Sequence, residues 1–348
     1  MKPRAKKFLS NFFFGLFSND HAIEGSKSNP WWVALIIMIL GTFLPVIPLT
    51  VNAARTYGAS FLDGYTYRFD QNISEVTINL LKNGTEFKVN DDHKLLYYDN
   101  GQAVNVNSEA DMKPLANYIN KSKNQYELQI YYSQRERSGI NDLIKVIDER
   151  HFKIGSIDIA GEEDAAYAPS YVILYSEGIY TRINKENSIS MGNNTYTGFG
   201  TDWNHFDVNH ELLKSTLPEG KTADTVDLTK TSEVTAMFNN WKEVYNKSYL
   251  SQKTLNIWMS TGLFYGIYLA LIIFMGLLVF LLTRGKNNMY NYLKFMDCEK
   301  IVAWASLSPA ILAMIIGFIF SMVAQMIFII LLGLRVMWIS MKQLRPQY

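Results

Sequence analysis

Two imidazoles and two carboxylates fall close together in Trp203-Asn204-His205-Phe206-Asp207-Val208-Asn209-His210-Glu211. These side-chain types hold zinc and related ions, but their spacing here matches no helical zinc motif. The default reading of the segment is therefore a solvated turn. Glu162-Glu163-Asp164 offers oxygen ligands of the kind calcium takes. Three adjacent acids point in different directions, so a solvated loop is the simpler reading there too.

Aromatic side chains are the other chemical lead. Tyr97, Tyr98, Tyr131, Tyr132, Tyr196 and Trp203 could form a face on which sugar rings stack, because aromatic rings bury the apolar faces of carbohydrates. The same rings also fill strands and cores, which is the preferred reading. The residues carried forward as a ligand-facing set are Tyr196, Trp203, His205, Asp207 and His210. No Gly-rich phosphate loop, nucleophile elbow or Cys/His pair suited to nucleophilic catalysis is visible in the sequence. The expectation is a chain that is not an enzyme, with no cofactor and no metal.

The elements that would hold these residues follow from hydropathy and charge. Among the 348 residues, three stretches carry no Asp, Glu, Lys or Arg: 31–51, 255–283 and 301–334. About 20 apolar residues span a bilayer as a helix, since lipid offers the backbone no hydrogen-bond partner. The net charge of +1 hides a split. Residues 53–255 hold 21 Lys+Arg and 28 Asp+Glu, a net −7, while the remainder holds 12 against 4, a net +8. Basic residues flanking spans stay cytoplasmic. Lys2, Arg4, Lys6, Lys7 and Lys27 thus place the N-terminus inside, and Arg284, Lys286, Lys294 and Lys300 do the same for the loop they flank. The acidic middle is then outside, and no basic stripe remains to suggest a nucleic-acid partner. The single cysteine, Cys298, falls in the inner loop, so the outer segment has no disulfide. At roughly 200 residues it can bury a core without one, and the absence favours a bacterial source.

The expected fold class is α+β: a helical membrane bundle of about four spans, with a large mixed α/β extracytoplasmic domain between spans 1 and 2. Residues 1–30 form a cytoplasmic amphipathic segment. Phe8, Phe12, Leu16 and Leu9, Phe13, Phe17 recur every four positions, either to lie in the inner headgroup layer or to pack on the bundle. Residues 31–52 are span 1, opened by Asn29 as cap, Pro30 and two interfacial tryptophans, and kinked or ended by Pro45 and Pro48. Val51-Asn52-Ala53 resembles a signal-peptidase site, but the apolar run is long for a signal peptide. Residues 53–254 are the outer domain, 255–283 span 2, 284–300 a cytoplasmic loop, 301–319 span 3, 321–341 span 4, and 342–348 a cytoplasmic tail.

The last tract is divided because 34 residues in one helix would reach about 51 Å, beyond a hydrocarbon core of about 30 Å. A turn near residues 317–321 keeps both termini inside and lets Arg335 snorkel toward the inner surface. A single third span is the alternative. In the outer domain, 86–89, 94–98, 126–132, 171–175 and 179–183 read as strands, the last two joined by a Ser176-Glu177-Gly178 turn. Residues 65–69 are a further strand candidate. Residues 115–119 and 140–147 have helical spacing, and 191–200 reads as loop. From 234 to 250 the pattern is helical and unbroken into span 2, which predicts one helix entering the membrane and coupling it to the outer domain.

The layout resembles the MalA-type family of bacterial membrane proteins, named for maltodextrin utilisation. The resemblance rests on the basic, Phe-rich start Lys6-Lys7-Phe8-Leu9-Ser10-Asn11-Phe12-Phe13-Phe14 before a span and an outer domain. It rests also on Val146-Ile147-Asp148, on the hairpin from Tyr171 to Tyr180, and on Trp304-Ala305-Ser306-Leu307-Ser308-Pro309. Extra sequence around 111–141 and 187–231 departs from the pattern. The resemblance implies a non-enzymatic, multi-pass protein of the bacterial plasma membrane. The family's name implies a link to maltodextrin uptake through an ABC transporter, and the first expectation is an accessory or scaffold role. The partners expected are the lipid bilayer, from the apolar runs, and sugar ABC transporter permease subunits or other membrane proteins. An extracytoplasmic ligand sensor is the second expectation and a cell-envelope hydrolase the third.

Overall fold

The computed structural model describes residues 3–62, 69–106, 113–120, 125–154, 168, 170–184, 195–200, 202–284, 288 and 290–344. The chain begins with helices α1 (Pro3–Gly15), α2 (Asn19–Ser28) and α3 (Trp31–Phe43), a 3₁₀ turn Leu44–Val46, and α4 (Ile47–Arg55). A second 3₁₀ turn, Ser60–Leu62, and α5 (Phe69–Lys82) lead to strands β1 (Thr85–Val89), β2 (Leu95–Asp99), β3 (Gln102–Ala103), β4 (Ala116–Asn120) and β5 (Gln125–Ser133). Next come α6 (Arg137–Ile154), β6 (Ser170–Tyr175), β7 (Gly178–Asn184), β8 (Thr195–Gly200) and the single turn α7 (Leu212–Ser215). The chain closes with α8 (Thr231–Thr283), α9 (Phe295–Gly317), α10 (Ser321–Trp338) and a π-helical turn, Ile339–Gln343. It divides into two compact units, residues 56–254 and residues 1–55 with 255–348.

The unit of residues 56–254 is built on a five-stranded sheet in the order β4-β5-β6-β7-β8. β5 and β6 are parallel, with α6 as the crossover between them, and the other neighbours are antiparallel. Strand alternation sorts the side chains onto two faces. Tyr131, Tyr171, Ile173 and Tyr175 meet Ile140, Leu143, Ile144 and Ile147 of α6. On the other face, Leu128, Ile130, Tyr132, Val172 and Leu174 pack with Phe69, Ile73, Val76 and Leu80 of α5 and with Trp241, Val244 and Tyr245 of α8. A smaller sheet, β1-β2-β3, joins that same core through Phe87, Val89 and Leu95.

The expected strands at 86–89, 94–98, 126–132, 171–175 and 179–183 are present with shifted ends, and 140–147 lies within α6. Two readings are corrected. Residues 115–119 are not helical: Ala116 to Asn120 form β4, because pairing with β5 supplies their hydrogen bonds. The loop expected over 191–200 holds β8 from Thr195, paired to β7; 191–194 lie outside the described residues. The 65–69 strand also falls outside them except for Phe69, which opens α5.

In the other unit, four helices among the described residues are long and apolar enough to cross a membrane: Trp31–Arg55, part of Thr231–Thr283, Phe295–Gly317 and Val323–Lys342. The last tract does break, with α9 ending at Gly317 and α10 starting at Ser321. Gly317 permits the close return, since a Cβ there would stand 2.7 Å from Cβ of Ala324 in α10. Pro45 and Pro48 bend the first span through the 3₁₀ turn without ending it. Asn29 caps a different helix from the one expected: its side-chain amide donates to the Gly25 carbonyl and closes α2, whereas α3 starts after Pro30. Nor does α9 wait for the charge-free run at Ile301. It starts at Phe295, so Cys298 and Glu299 lie inside the helix.

The N-terminal segment packs on the bundle with part of its apolar surface. Phe12 and Leu16 pack on Ala22, Val33, Ile37, Trp304 and Leu307, while Phe13, Phe14 and Phe17 stay exposed. Arg335 does not snorkel away from the bundle. Its guanidinium donates to Asn19 Oδ1 (3.0 Å), to the Ala305 carbonyl (3.0 Å) and to the Gly15 carbonyl. Pro309 has no N–H to give the carbonyl four residues earlier, which is that of Ala305. Arg335 fills that vacancy from the next helix and closes the C-terminus of α1 as well.

Candidate functional site

The segment around the paired imidazoles is a structural clasp. Trp203 is fully buried, its indole N–H donating to the Tyr175 carbonyl at 3.2 Å and its ring edge-on to Phe206. It therefore presents no face to a ligand. Asn209 N–H donates to the Val89 carbonyl at 2.7 Å, and Val89 N–H to the His210 carbonyl at 3.1 Å, which ties the segment to the end of β1. Asn209 sits at φ 63°, a left-handed turn that asparagine tolerates. The two imidazoles have separate surroundings. His205 is exposed and shares a hydrogen bond with Ser251 of α8, whereas His210 is half-buried against Phe206. Burial, with Lys247 nearby, holds the His210 imidazole below its ordinary pKa. Asp207 is exposed, and its carbonyl accepts from the His210 N–H. Among the described residues, no group of three or more His, Cys, Asp or Glu is placed to hold a metal ion. Residues 162–164 lie outside the described residues.

The stacking face does not assemble either. Tyr131 and Tyr132 are buried on opposite faces of the large sheet, and Tyr97 and Tyr98 are partly covered. Tyr196 lies in β8, paired with Ile183. Exposed large apolar side chains are few in this unit: Tyr57, Ile119, Val208 and Leu250 among the described residues.

Two buried or half-buried carboxylates of this unit have internal partners. Glu127, 7 % exposed, accepts from the amides of Asn72 (3.1 Å) and Asn120 (2.5 Å). Asp148 accepts from the Tyr171 hydroxyl and pairs with Arg182 at 2.5 Å. Two pieces that carry the family resemblance, the Asp148 segment and the Tyr171 hairpin, thus meet. Their meeting point is a half-buried ion pair.

The helical unit presents the opposite surface. One side of α8 packs inward through Phe264, Tyr268, Ile272, Met275 and Val279. The other exposes Leu255, Trp258, Met259, Leu263, Ile267, Ile273, Phe274, Leu277 and Leu281. Within this stripe lie Gly262, Gly266 and Ala270, all exposed and four apart. Side chains at that spacing share one helix face, and three small ones leave a shallow channel along it. A Cβ on Gly262 or Gly266 would meet nothing within 4 Å.

The other glycines near helix contacts are spent inside the unit. Gly25 faces the Trp304 ring, Gly41 faces Ser306, Gly276 faces the Glu299 carboxylate, and Gly317 faces Pro48 and Ala324. Sequence spacing alone names the small residues. Only the packing separates the two whose surroundings are open from those already used. No protein-family model matches the chain, and neither any curated protein nor any solved structure does.

Proposed function

We propose that the chain is a non-enzymatic integral membrane protein that works by contact with partner membrane proteins. The observation that carries this reading is the open Gly262/Gly266/Ala270 channel on α8, bordered by Trp258, Leu263 and Ile267. In lipid, apolar area alone drives helices together weakly. Small residues that let backbones approach give association its van der Waals gain. The charge split supports a bacterial plasma-membrane topology with both termini inside and residues 56–254 outside. If the family resemblance holds, the partner is a permease subunit of a sugar ABC transporter and the process is maltodextrin uptake.

Pulldown in mild detergent should recover that permease with the wild-type chain. Gly262→Leu/Gly266→Leu fills the channel at positions where an added Cβ meets no other residue, so its melting temperature should be unchanged. Recovery should fall about tenfold or more, equivalent to about 1.4 kcal/mol of contact free energy. Equal recovery by the variant, or growth on maltodextrin unaffected by deletion, sinks the accessory reading.

Topology is testable in a Cys298→Ser background, since Cys298 is buried and reports on neither side. A cysteine replacing exposed Glu219 should react with an impermeant thiol reagent in intact cells. One replacing exposed Tyr292 should react only after permeabilisation. The reverse pattern would invert the arrangement.

A ligand sensor is the second reading, and α8 favours it. One unbroken helix of 53 residues gives Trp241, Val244 and Tyr245 to one core and Tyr268, Ile272 and Val279 to the other. Ligand-induced stabilisation of residues 56–254, with no partner recovered, would put the sensor ahead.

A further inference from the structure

Glu299 stands in the second turn of α9, within a helix apolar enough to span a membrane. Both of its carboxylate oxygens are buried, and neither has a hydrogen-bond partner among the described residues. The carboxylate is lodged on Gly276 of α8, where a Cβ would meet Glu299 Cδ at 2.4 Å. Any side chain at 276 would evict it. Three charged residues of this unit are engaged elsewhere. Asp297 accepts from the Lys294 N–H, Arg284 donates to the carbonyls of Asn291 and Leu293, and Lys27 lies over the Tyr290 ring. Along α8 from 255 to 283 the only titratable side chains are Tyr265 and Tyr268. Tyr268 is two helical turns from Gly276, and its hydroxyl is itself without a partner among the described residues.

A carboxylate cannot keep its charge while buried without donors; it takes a proton or moves to water. We propose that Glu299 is a proton-binding site whose occupancy controls the α8–α9 contact at Gly276. With the proton on, the neutral carboxyl stays seated on the glycine. When the proton leaves, the carboxylate withdraws toward water and the helices part there. This goes beyond the partner-contact reading and does not depend on it, because Gly262 and Gly266 lie ten or more residues from Gly276, at least about 15 Å along α8.

Cys298, fully buried beside Glu299 and the only cysteine in the chain, is a built-in reporter. The full-length protein is placed in lipid nanodiscs, and the rate of Cys298 modification by a small maleimide is followed from about pH 5 to 9, a range that brackets displaced carboxyl titrations. Dividing each rate by that of Glu299→Gln at the same pH removes the thiol's own titration. The ratio should be near one at the acid end. It should then climb by up to about tenfold per pH unit, the slope of an opening coupled to loss of one proton. Glu299→Met serves as a second neutral reference if the amide variant does not fold. Gly276→Leu, which displaces the carboxyl mechanically, should label fast with no added pH dependence. A wild-type ratio that is flat across the range, or a Gly276→Leu protein as protected as wild type, overturns the proposal.

Discussion

Arg335→Met is expected to cost the helical unit about 3 to 5 kcal/mol, more than any change on its exposed faces. Hydrogen bonds from a charged donor contribute about 1.5 to 3 kcal/mol each, and neighbouring ones do not add fully. The guanidinium makes three, to Asn19, to the Ala305 carbonyl and to the Gly15 carbonyl. Methionine keeps much of the volume but leaves all three acceptors without a donor. Arg335→Lys should recover only part of the loss, because a point ammonium cannot reach three divergent acceptors as the planar fork does. Ile330→Ala, on an exposed position, is the control.

Pro309 sharpens this test. Pro309→Ala restores an N–H that can serve the Ala305 carbonyl within α9. The cost of Arg335→Met should therefore be smaller in the Pro309→Ala background, by about 1 kcal/mol in a double-mutant cycle. Thermal melts of the four proteins in one detergent supply the numbers. Equal stability of Arg335→Met and wild type would refute the assignment of Arg335 as the tie among α1, α2, α9 and α10.

The arginine also shows where the sequence stops being legible. A charged residue near the end of an apolar run reads as a snorkelling side chain, because that is what an isolated helix would do with it. The preference reverses only when a second helix offers a carbonyl freed by proline, and that pairing is a fact of tertiary contact. Glu299 was hidden differently. Charges before residue 301 read as loop, whereas α9 starts at Phe295 and carries the acid inside.

Local patterns were readable where local physics decides. The hairpin around Ser176-Glu177 and the break between Gly317 and Ser321 belong to that class. Residues 116–120 do not, because a five-residue window fits either period and pairing with β5 settles it. α2 was invisible for a related reason. Its sequence is polar, and Ala22, Gly25 and Ser26 become core residues only because the Trp304 side of α9 covers them. Of the ligand-facing set, Trp203 was legible as a large aromatic and illegible in direction. Its indole N–H finds a carbonyl of β6, 28 positions away in sequence.

The second large effect is expected at Trp241. Its side chain is fully buried between α5 and the large sheet, with its N–H on Thr77 Oγ1 at 3.1 Å and its ring beside Tyr245. Removing a buried tryptophan costs about 3 to 5 kcal/mol through lost burial and the cavity left behind. Thr77 keeps its own bond to the Ile73 carbonyl, so no orphaned donor adds to that figure. Trp241→Phe retains most of the ring and loses only the N–H bond, for about 1 kcal/mol. Native-state hydrogen exchange on the full chain separates these cases. In Trp241→Ala, protection across β5 and β6 should fall about a hundredfold or more, the factor corresponding to about 3 kcal/mol. Protection in α9 should hold, because its core of Cys298, Ile301, Val302 and Ala305 contains no residue of the sheet unit. Unchanged exchange in β5 and β6 would mean that α8 decorates the sheet rather than anchoring it, and the sensor reading would lose the connection on which it rests.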